Sequence, residues 1–206
     1  LNLIMKEIVA SVIGNLCGDG CLSQFKENRG KWDIAHYNRK NKLRLRKVIV
    51  YSNYREELLN KFKKNLKKLF PEIIFCNARW YEVRTRDRKA IDLFLKFGYY
   101  GSRKWRIPKA IMRGNKNVKA AWLQSFCDDE AWVNIRSKSI GVQTVNYWGM
   151  KQVCQLLNSL GIKNRIHYYE HNNKIRVTIY DLRKYSKIVG FNHKLKQARL
   201  KGILKD

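Results

Sequence analysis

In a chain with 44 Lys and Arg against 16 Asp and Glu, the acids that remain are the first residues to read for chemistry. Asp19 sits in Gly18-Asp19-Gly20, and Glu130 closes Asp128-Asp129-Glu130, 111 residues further on. A lone G-D-G is ordinarily just a turn. Here each acid ends an apolar segment with helical spacing, IVASVIGNLCGDG (Ile8 to Gly20) and VKAAWLQSFCDDEA (Val118 to Ala131). If the two helices pack side by side, both carboxylates arrive near one point, and Gly14, Gly18 and Ser125 are small enough to let the backbones approach. Crowded carboxylates call for a divalent cation to offset their repulsion, and hard oxygen donors select Mg²⁺ or a relative.

Other chemistries fit the residue types less well. The four histidines, His36, His167, His171 and His193, do not form an HNH arrangement; His167 and His171 are four apart but on an expected strand and turn, not a helix face. The five cysteines are odd in number and include no C-x-x-C pair, so neither a zinc knuckle nor a disulfide framework is expected. They read as reduced, buried thiols of a cytoplasmic protein. Gly98-Tyr99-Tyr100-Gly101 reads as a helix stop.

The net charge of +28 repels itself in a compact state and is tolerable when a polyanion neutralises it. Nucleic acid is the expected partner, since Lys and Arg on phosphates release condensed counterions. The charge is spread along the chain, which weakens the alternative of an anionic membrane surface, and no run of about 18 apolar residues is present. No signal peptide is read at the N-terminus, which lacks a basic leader. With 45% hydrophobic residues the chain is no disordered basic tail.

These residues need elements to hold them. After Glu130, AWVNIRS and SIGVQTV alternate as a strand pair, Tyr147 to Leu160 is helical with Gly161 as a stop, IKNRIHYYE and NKIRVTIYD form a hairpin around Asn172 and Asn173, and LRKYSKIVG and KLKQARLKGIL close as helices. The first half runs alike: strands between Cys21 and Asn38 and between Leu43 and Ser52, a helix from about Arg55 to Phe70 stopped by Pro71, a hairpin of IIFCNA and RWYEVRTR, and the helix RKAIDLFLKFG. The expected class is α+β, two pseudo-symmetric αββαββα halves packed tightly together. They divide as 1–105, a linker over 106–117, and 118–206.

The strand pattern puts polar residues on one face. Ile175, Val177 and Ile179 oppose Arg176, Thr178 and Tyr180; Ile166 and Tyr168 oppose Arg165, His167 and Tyr169; Val133 and Ile135 oppose Asn134, Arg136 and Lys138; Ile140 and Val142 oppose Gln143; Val83 opposes Glu82, Arg84 and Arg86. An antiparallel sheet with one wet face is common. This wet face is dominated by donors that pair with base edges and phosphates, as a sheet laid in the major groove would be. Ser23, Lys26, Arg44 and Arg46 are candidates in the opening strands, where the parity is less clear.

VIGNLCGDG (Val12 to Gly20) and LQSFCDDEA (Leu123 to Ala131) resemble two degenerate copies of the LAGLIDADG motif. Ile107-Pro108 before the second copy and GFNHKLKQARL (Gly190 to Leu200) also resemble that family, and the likeness covers nearly the whole chain. It is similar to the monomeric two-motif homing endonucleases, intron- or intein-derived; the Lys, Arg, Ile and Tyr content hints at an archaeal source. The resemblance implies saddle-shaped sheets over a long asymmetric double-stranded DNA site, with the motif helices at the interface. It makes Asp19 and Glu130 the catalytic metal ligands, with the backbone of Gly18 and Asp129 beside them. It places a basic residue in each half, Lys104 and Lys194, and a polar residue that orients water, Ser52 or Asn53 and Gln143 or Thr144. The implied chemistry is phosphodiester hydrolysis with Mg²⁺ or Mn²⁺, Ca²⁺ acting as a non-catalytic substitute, leaving 5′-phosphate and 3′-hydroxyl ends. Family relatives also include intron RNA maturases and non-cleaving DNA-binding regulators. Two departures stand out: Ala131 replaces the usual Gly, and Asp128 and Asp129 rival Glu130, which is chosen by register.

Overall fold

The computed structural model describes residues 3–28, 43–76, 79–170 and 173–205. The first half comprises α1 (Leu3–Cys17), β1 (Gly20–Asn28), β2 (Leu43–Ser52), α2 (Glu56–Leu69), β3 (Glu82–Thr85) and α3 (Arg88–Leu95). A short α4 (Lys109–Met112) leads to α5 (Lys116–Glu130), β4 (Ala131–Asn134), β5 (Ser139–Thr144), α6 (Tyr147–Ser159), β6 (Asn164–Tyr169), β7 (Lys174–Ile179), α7 (Leu182–Ile188) and α8 (Lys194–Lys205). The strands form two antiparallel sheets in the orders β1-β2-β3 and β4-β5-β7-β6.

The helices end where side-chain chemistry ends them. Asn115 accepts the Val118 N–H at 3.0 Å to start α5, and Asn146 accepts that of Gly149 at 3.0 Å to start α6. Gly161, at φ +69°, closes α6: its N–H reaches the Asn158 carbonyl at 2.8 Å and the Ile162 N–H that of Leu157 at 2.9 Å. In α2 the apolar Leu58, Leu59, Phe62 and Leu66 are buried, with Glu56 and Glu57 in the first turn and Lys67 and Lys68 in the last, each sign matched to the helix dipole.

The helices α1 and α5 lack such a polar face because both are interior. Every residue of α1 from Ile8 to Cys17 is buried, and the two helices pack directly on each other. A Cβ on Gly14 would stand 2.5 Å from the Trp122 carbonyl oxygen and 3.0 Å from the Ser125 Cβ, and one on Gly18 would meet the Asp129 carboxylate at 2.6 Å. Only glycine permits this approach. Gly14 facing Ser125 and Gly18 facing Asp129 repeat the offset that relates Asp19 to Glu130, so the helix pairing has the register read from the acids. The Ser11 and Ser125 hydroxyls meet at 2.7 Å in the same seam.

The segment between the halves is docked into the core. Trp105, Ile107 and Ile111 are buried. The Trp105 ring lies 5.1 Å from that of Phe126, and its carbonyl accepts the Asn146 amide at 2.8 Å.

Three expectations about strands need correction. The segment Ile73 to Ala78 makes no full strand among the described residues; only Cys76 pairs, with Arg84, and 77–78 lie outside them. After Pro71 the Ile73 N–H bonds back to the Phe70 carbonyl at 3.0 Å, a turn rather than a ladder. Second, β4 stops at Asn134, and 135–138 form a turn with Lys138 at φ +43°. Arg136 and Lys138 therefore stand at the end of the sheet, not on its face. Third, β1 pairs Ser23 with Val48 and Lys26 with Leu45, so the pleat sends Ser23 and Lys26 to opposite faces. Lys26 shares the Leu22 face, at its exposed end. The expected strand reaching Asn38, His36, His171, Asn172 and the side chain of Arg44 lie outside the described residues.

Candidate functional site

Asp19 stands in the turn between α1 and β1, and Glu130 is the last residue of α5. They border two neighbouring clefts. The first is lined by Asp19 with Ser52 and Asn53 from the end of β2 and His193 and Lys196 from the start of α8. The second is lined by Glu130 with Gln143 and Thr144 from the end of β5, and with Gly18, Ser102 and Lys174. Each acid thus has beside it the pair of polar residues expected from the sequence.

The acids strain against one another. Withdrawal from water pushes the Glu130 carboxyl up to about 7, helped by the negative charge of Asp19 and opposed by Lys196. Asp19 is also raised, first by desolvation, against the pull of Lys196 and of the Asn53 amide, which donates to its Oδ2 at 2.9 Å. Asp129 is held well above the usual carboxylate range by desolvation and then by the charge of Asp19.

The rival acids are already engaged. Asp128 is buried and accepts from the Asn192 N–H at 2.8 Å, the Asn192 amide at 2.7 Å and the His193 N–H at 3.0 Å, tying α5 to the start of α8. Asp129 accepts from the Tyr51 hydroxyl at 2.7 Å and the Asn15 amide at 3.2 Å. Glu130 opens on its cleft with no hydrogen bond recorded among the described residues.

Of the basic residues, Lys196 lines the Asp19 cleft and acts on that acid through its charge, whereas Lys194 is the exposed first residue of α8. The Lys196 amine donates to the carbonyls of Cys127 at 3.2 Å and Asp129 at 3.4 Å, and to that of Asp128, capping α5. Desolvation lowers its pKa while the surrounding acids raise it. Its ammonium faces the Asp129 carbonyl that the family resemblance offers to a metal. Lys104 is exposed in the turn before Trp105. Gly98 and Gly190, both at positive φ, follow α3 and α7, and Lys104 and Lys196 each come six residues after them. That matched count was the signal that would have found Lys196.

No group of three or more His, Cys, Asp and Glu side chains among the described residues is arranged to hold a metal by itself. Two desolvated carboxylates with raised pKa values suit a hard divalent ion whose shell is completed by water and phosphate, the usual habit of Mg²⁺.

No family model matches the chain. Among curated proteins it is 24% identical over 186 residues to the ribonucleoside-diphosphate reductase NrdEB subunit alpha of Bacillus subtilis, covering 87% of this chain and 16% of that protein. It is 27% identical over 220 residues to a DNA polymerase of Methanocaldococcus jannaschii, covering 95% and 12%, and 24% identical over 209 residues to that organism's glutamine–fructose-6-phosphate aminotransferase, covering 94% and 17%. The chain thus spans about a sixth or less of the length of these relatives. Among solved structures, mesophilic variants of the homing endonuclease I-DmoI align at a TM-score of 0.66 with 18% identity, over 90% of this chain and 96% of theirs. I-DmoI in complex with DNA and Mn aligns at 0.64 with 19% identity, over 90% and 97%. The chain has the LAGLIDADG homing-endonuclease fold.

On this LAGLIDADG scaffold the second sheet carries the expected wet face. The register sets His167 and Gln143 opposite Arg176, and Arg165 and Gly141 opposite Thr178. Ile175, Val177 and Ile179 are buried behind them. Arg176 is clamped: its guanidinium lies 5.1 Å from the Trp132 ring and 4.9 Å from that of Tyr169, and it donates to the Gln143 Oε1 at 3.2 Å. Asn134 closes β4, and Tyr180 follows β7. Trp132 lies over Gly141 and shares the face of Arg176. On the first sheet Ser23, Arg46, Glu82 and Arg84 share a face; Glu82 and Arg84 are paired with each other, and Arg86 lies just past β3.

Proposed function

We propose that the protein is a site-specific double-strand DNA endonuclease that uses a divalent metal, acting as a monomer within the cell on a long asymmetric site. The observation that carries this reading is the placement of Asp19 and Glu130 at matched ends of two packed helices, close enough for the charge of Asp19 to act on Glu130, each in its own polar cleft. The net charge of +28 and the basic wet face of the second sheet supply the partner's counterpart. Homing is supported by the similar segments within a reductase, a polymerase and an aminotransferase, each covering most of this chain and little of the other protein. A segment that recurs inside unrelated enzymes behaves as a mobile insert.

In this reading Asp19 and Glu130 hold Mg²⁺ or Mn²⁺, with Ca²⁺ supporting binding alone. When bound, the ion supplies Lewis acidity at the scissile phosphate and an acidified water. The chain's own residues do the rest. Asn53 fixes the Asp19 carboxylate from the side. Lys196 brings positive charge to the phosphate that gains charge on attack. Gln143 and Thr144 hold water beside Glu130. Arg176, pre-ordered between two rings, reads a base edge, and Arg46, Arg84 and Arg165 anchor the backbone. The halves divide as 1–105 and 118–206 with the docked segment between them.

The test selects random duplex DNA for binding in Ca²⁺, then moves the enriched site to Mg²⁺. One long non-palindromic sequence, cut on both strands, is the expected result. If about ten phosphates are neutralised, log K falls against log salt with a slope of about −9. Tight binding without cutting in Mg²⁺ or Mn²⁺ overturns the nuclease reading in favour of a regulator, and preference for structured RNA in favour of a maturase.

A further inference from the structure

The Asp129 side chain has no role in the chemistry above, yet it carries a carboxylate into the seam between α1 and α5. Among the described residues its side-chain partners all come from the other half: the Tyr51 hydroxyl at 2.7 Å and the Asn53 amide at 3.3 Å on Oδ1, and the Asn15 amide at 3.2 Å on Oδ2. The Asn53 nitrogen is shared, for it also donates to the Asp19 Oδ2 at 2.9 Å. Its Oδ1 meanwhile accepts the Arg55 N–H at 2.9 Å, which sets which way the amide faces. Tyr51 is fully buried and stacked on Phe62 at 4.6 Å, and Asn15 is buried, so the frame around Asp129 is rigid.

Among the described residues the Glu130 side has no counterpart to this frame. Gly20 pairs with Tyr51 in the first sheet as Ala131 pairs with Val142 in the second. By that match Val142 stands for Tyr51, Thr144 for Asn53 and Gly18 for Asp129, so the hydroxyl, the amide and the carboxylate are all replaced.

We infer that Asp129 is a positioning residue: it fixes the Asn53 amide and, through it, the Asp19 carboxylate, so that one of the two strand cuts depends on it and the other does not. This rests on the endonuclease reading above. The link to Asn53 needs the Oδ1 acceptor and not the charge, so asparagine at 129 keeps it, giving up only the acceptor for Asn15, and alanine does not.

The experiment follows each strand of the selected site with its own end label in Mg²⁺, using the full chain as wild type, Asp129→Ala, Asp129→Asn, Asn53→Ala and the Asp129→Ala/Asn53→Ala double variant. Asp129→Ala is expected to slow one strand by about 30-fold or more, the same strand that Asn53→Ala slows. The other strand stays within about 3-fold, Asp129→Asn stays near wild type on both, and the double variant is no slower than the slower single one. Equal slowing of both strands, or multiplied losses in the double variant, overturns the inference. A second readout needs no cleavage: in the metal-free protein the Asn53 side-chain amide exchanges with water slowly in wild type and Asp129→Asn, and about tenfold or more faster in Asp129→Ala. If wild type cuts neither strand, the endonuclease reading fails, and the exchange measurement alone decides the positioning. Fast exchange in wild type, or none of the expected change in Asp129→Ala, then overturns it.

Discussion

The Asp19 and Glu130 clefts stand at matched helix ends and differ in what surrounds them. Asp19 receives the Asn53 amide and lies within the influence of the Lys196 ammonium. Glu130 faces Gln143, Thr144 and Lys174, and desolvation and the charge of Asp19 raise its carboxyl against Lys196, with no amide donating to it among the described residues. The difference comes from the supporting elements, not from the acids. The acids are placed by the α1–α5 seam, whose glycines fix the register, whereas their partners arrive from strand ends and from α8, which is free to differ from the segment after α3. The matched halves thus agree more closely in where a carboxylate stands than in what it touches.

The largest effect should come from removing either acid. Asp19→Asn and Glu130→Gln are each expected to lower double-strand cleavage by on the order of 10³-fold or more while binding in Ca²⁺ holds or tightens, because carboxylate–phosphate repulsion falls. Plasmid cleavage beside a gel-shift titration checks this, and normal cutting by Glu130→Gln would place the second ligand elsewhere. Next, Lys196→Met should cost about 100-fold in cutting, and Lys104→Met less than about 10-fold. Equal losses would make the clefts functionally alike and break the comparison.

A smaller effect concerns pH without metal. The folded Glu130 titrates at about 7, above its ordinary 4.5, and Asp129 is raised as well. The folded state therefore holds more protons than the unfolded one between these values, and stability falls as pH rises from about 5 to 8. Thermal melts should drop by about 2–5 °C over that range. Glu130→Gln should flatten the drop more than Asp19→Asn does, and Mg²⁺ should restore stability at pH 8 but not at pH 5. A melt that rises with pH would refute the crowding of the acids. The smallest contrast lies between the sheets. Arg176→Ala should cost ~1–3 kcal/mol at the matched site and relax preference at a few base pairs. Arg84→Ala, which strands the buried Glu82, should lower the melting temperature and weaken all sequences alike. Affinity profiles over single-base variants of the site distinguish them.

Much of this was legible in the chain because its signals are local and repeated. The helical spacing of α2, α5 and α6, the Gly161 stop and the alternation of β5 and β7 all come from residues close in sequence. The match of Asp19 to Glu130 was legible because small residues recur at the same offset. Strand β1 was not, since Cys21 to Lys26 mixes apolar and polar residues on both parities and only the pairing with β2 decides between them. The turn at 135–138 was missed because Ile135 and Lys138 continue a plausible alternation, and a positive φ at a lysine leaves no trace in composition. Lys196 was passed over for Lys194 because helix phase decides which lysine returns to the acids, and Asp128 fixes that phase from 64 residues away. The bonds of Asp129 to Tyr51 and Asn15 join different halves, beyond the reach of any local pattern.

Gly18 ties the two motif ends to different residues. The Asp129 carboxylate occupies the space that a methyl group at position 18 would fill, 2.6 Å from where that carbon would sit. Alanine there would push the acid away from its donors Tyr51, Asn53 and Asn15. Positions 18 and 129 therefore fit as lock and key, and neither can take the other's residue without dismantling the frame around the carboxylate.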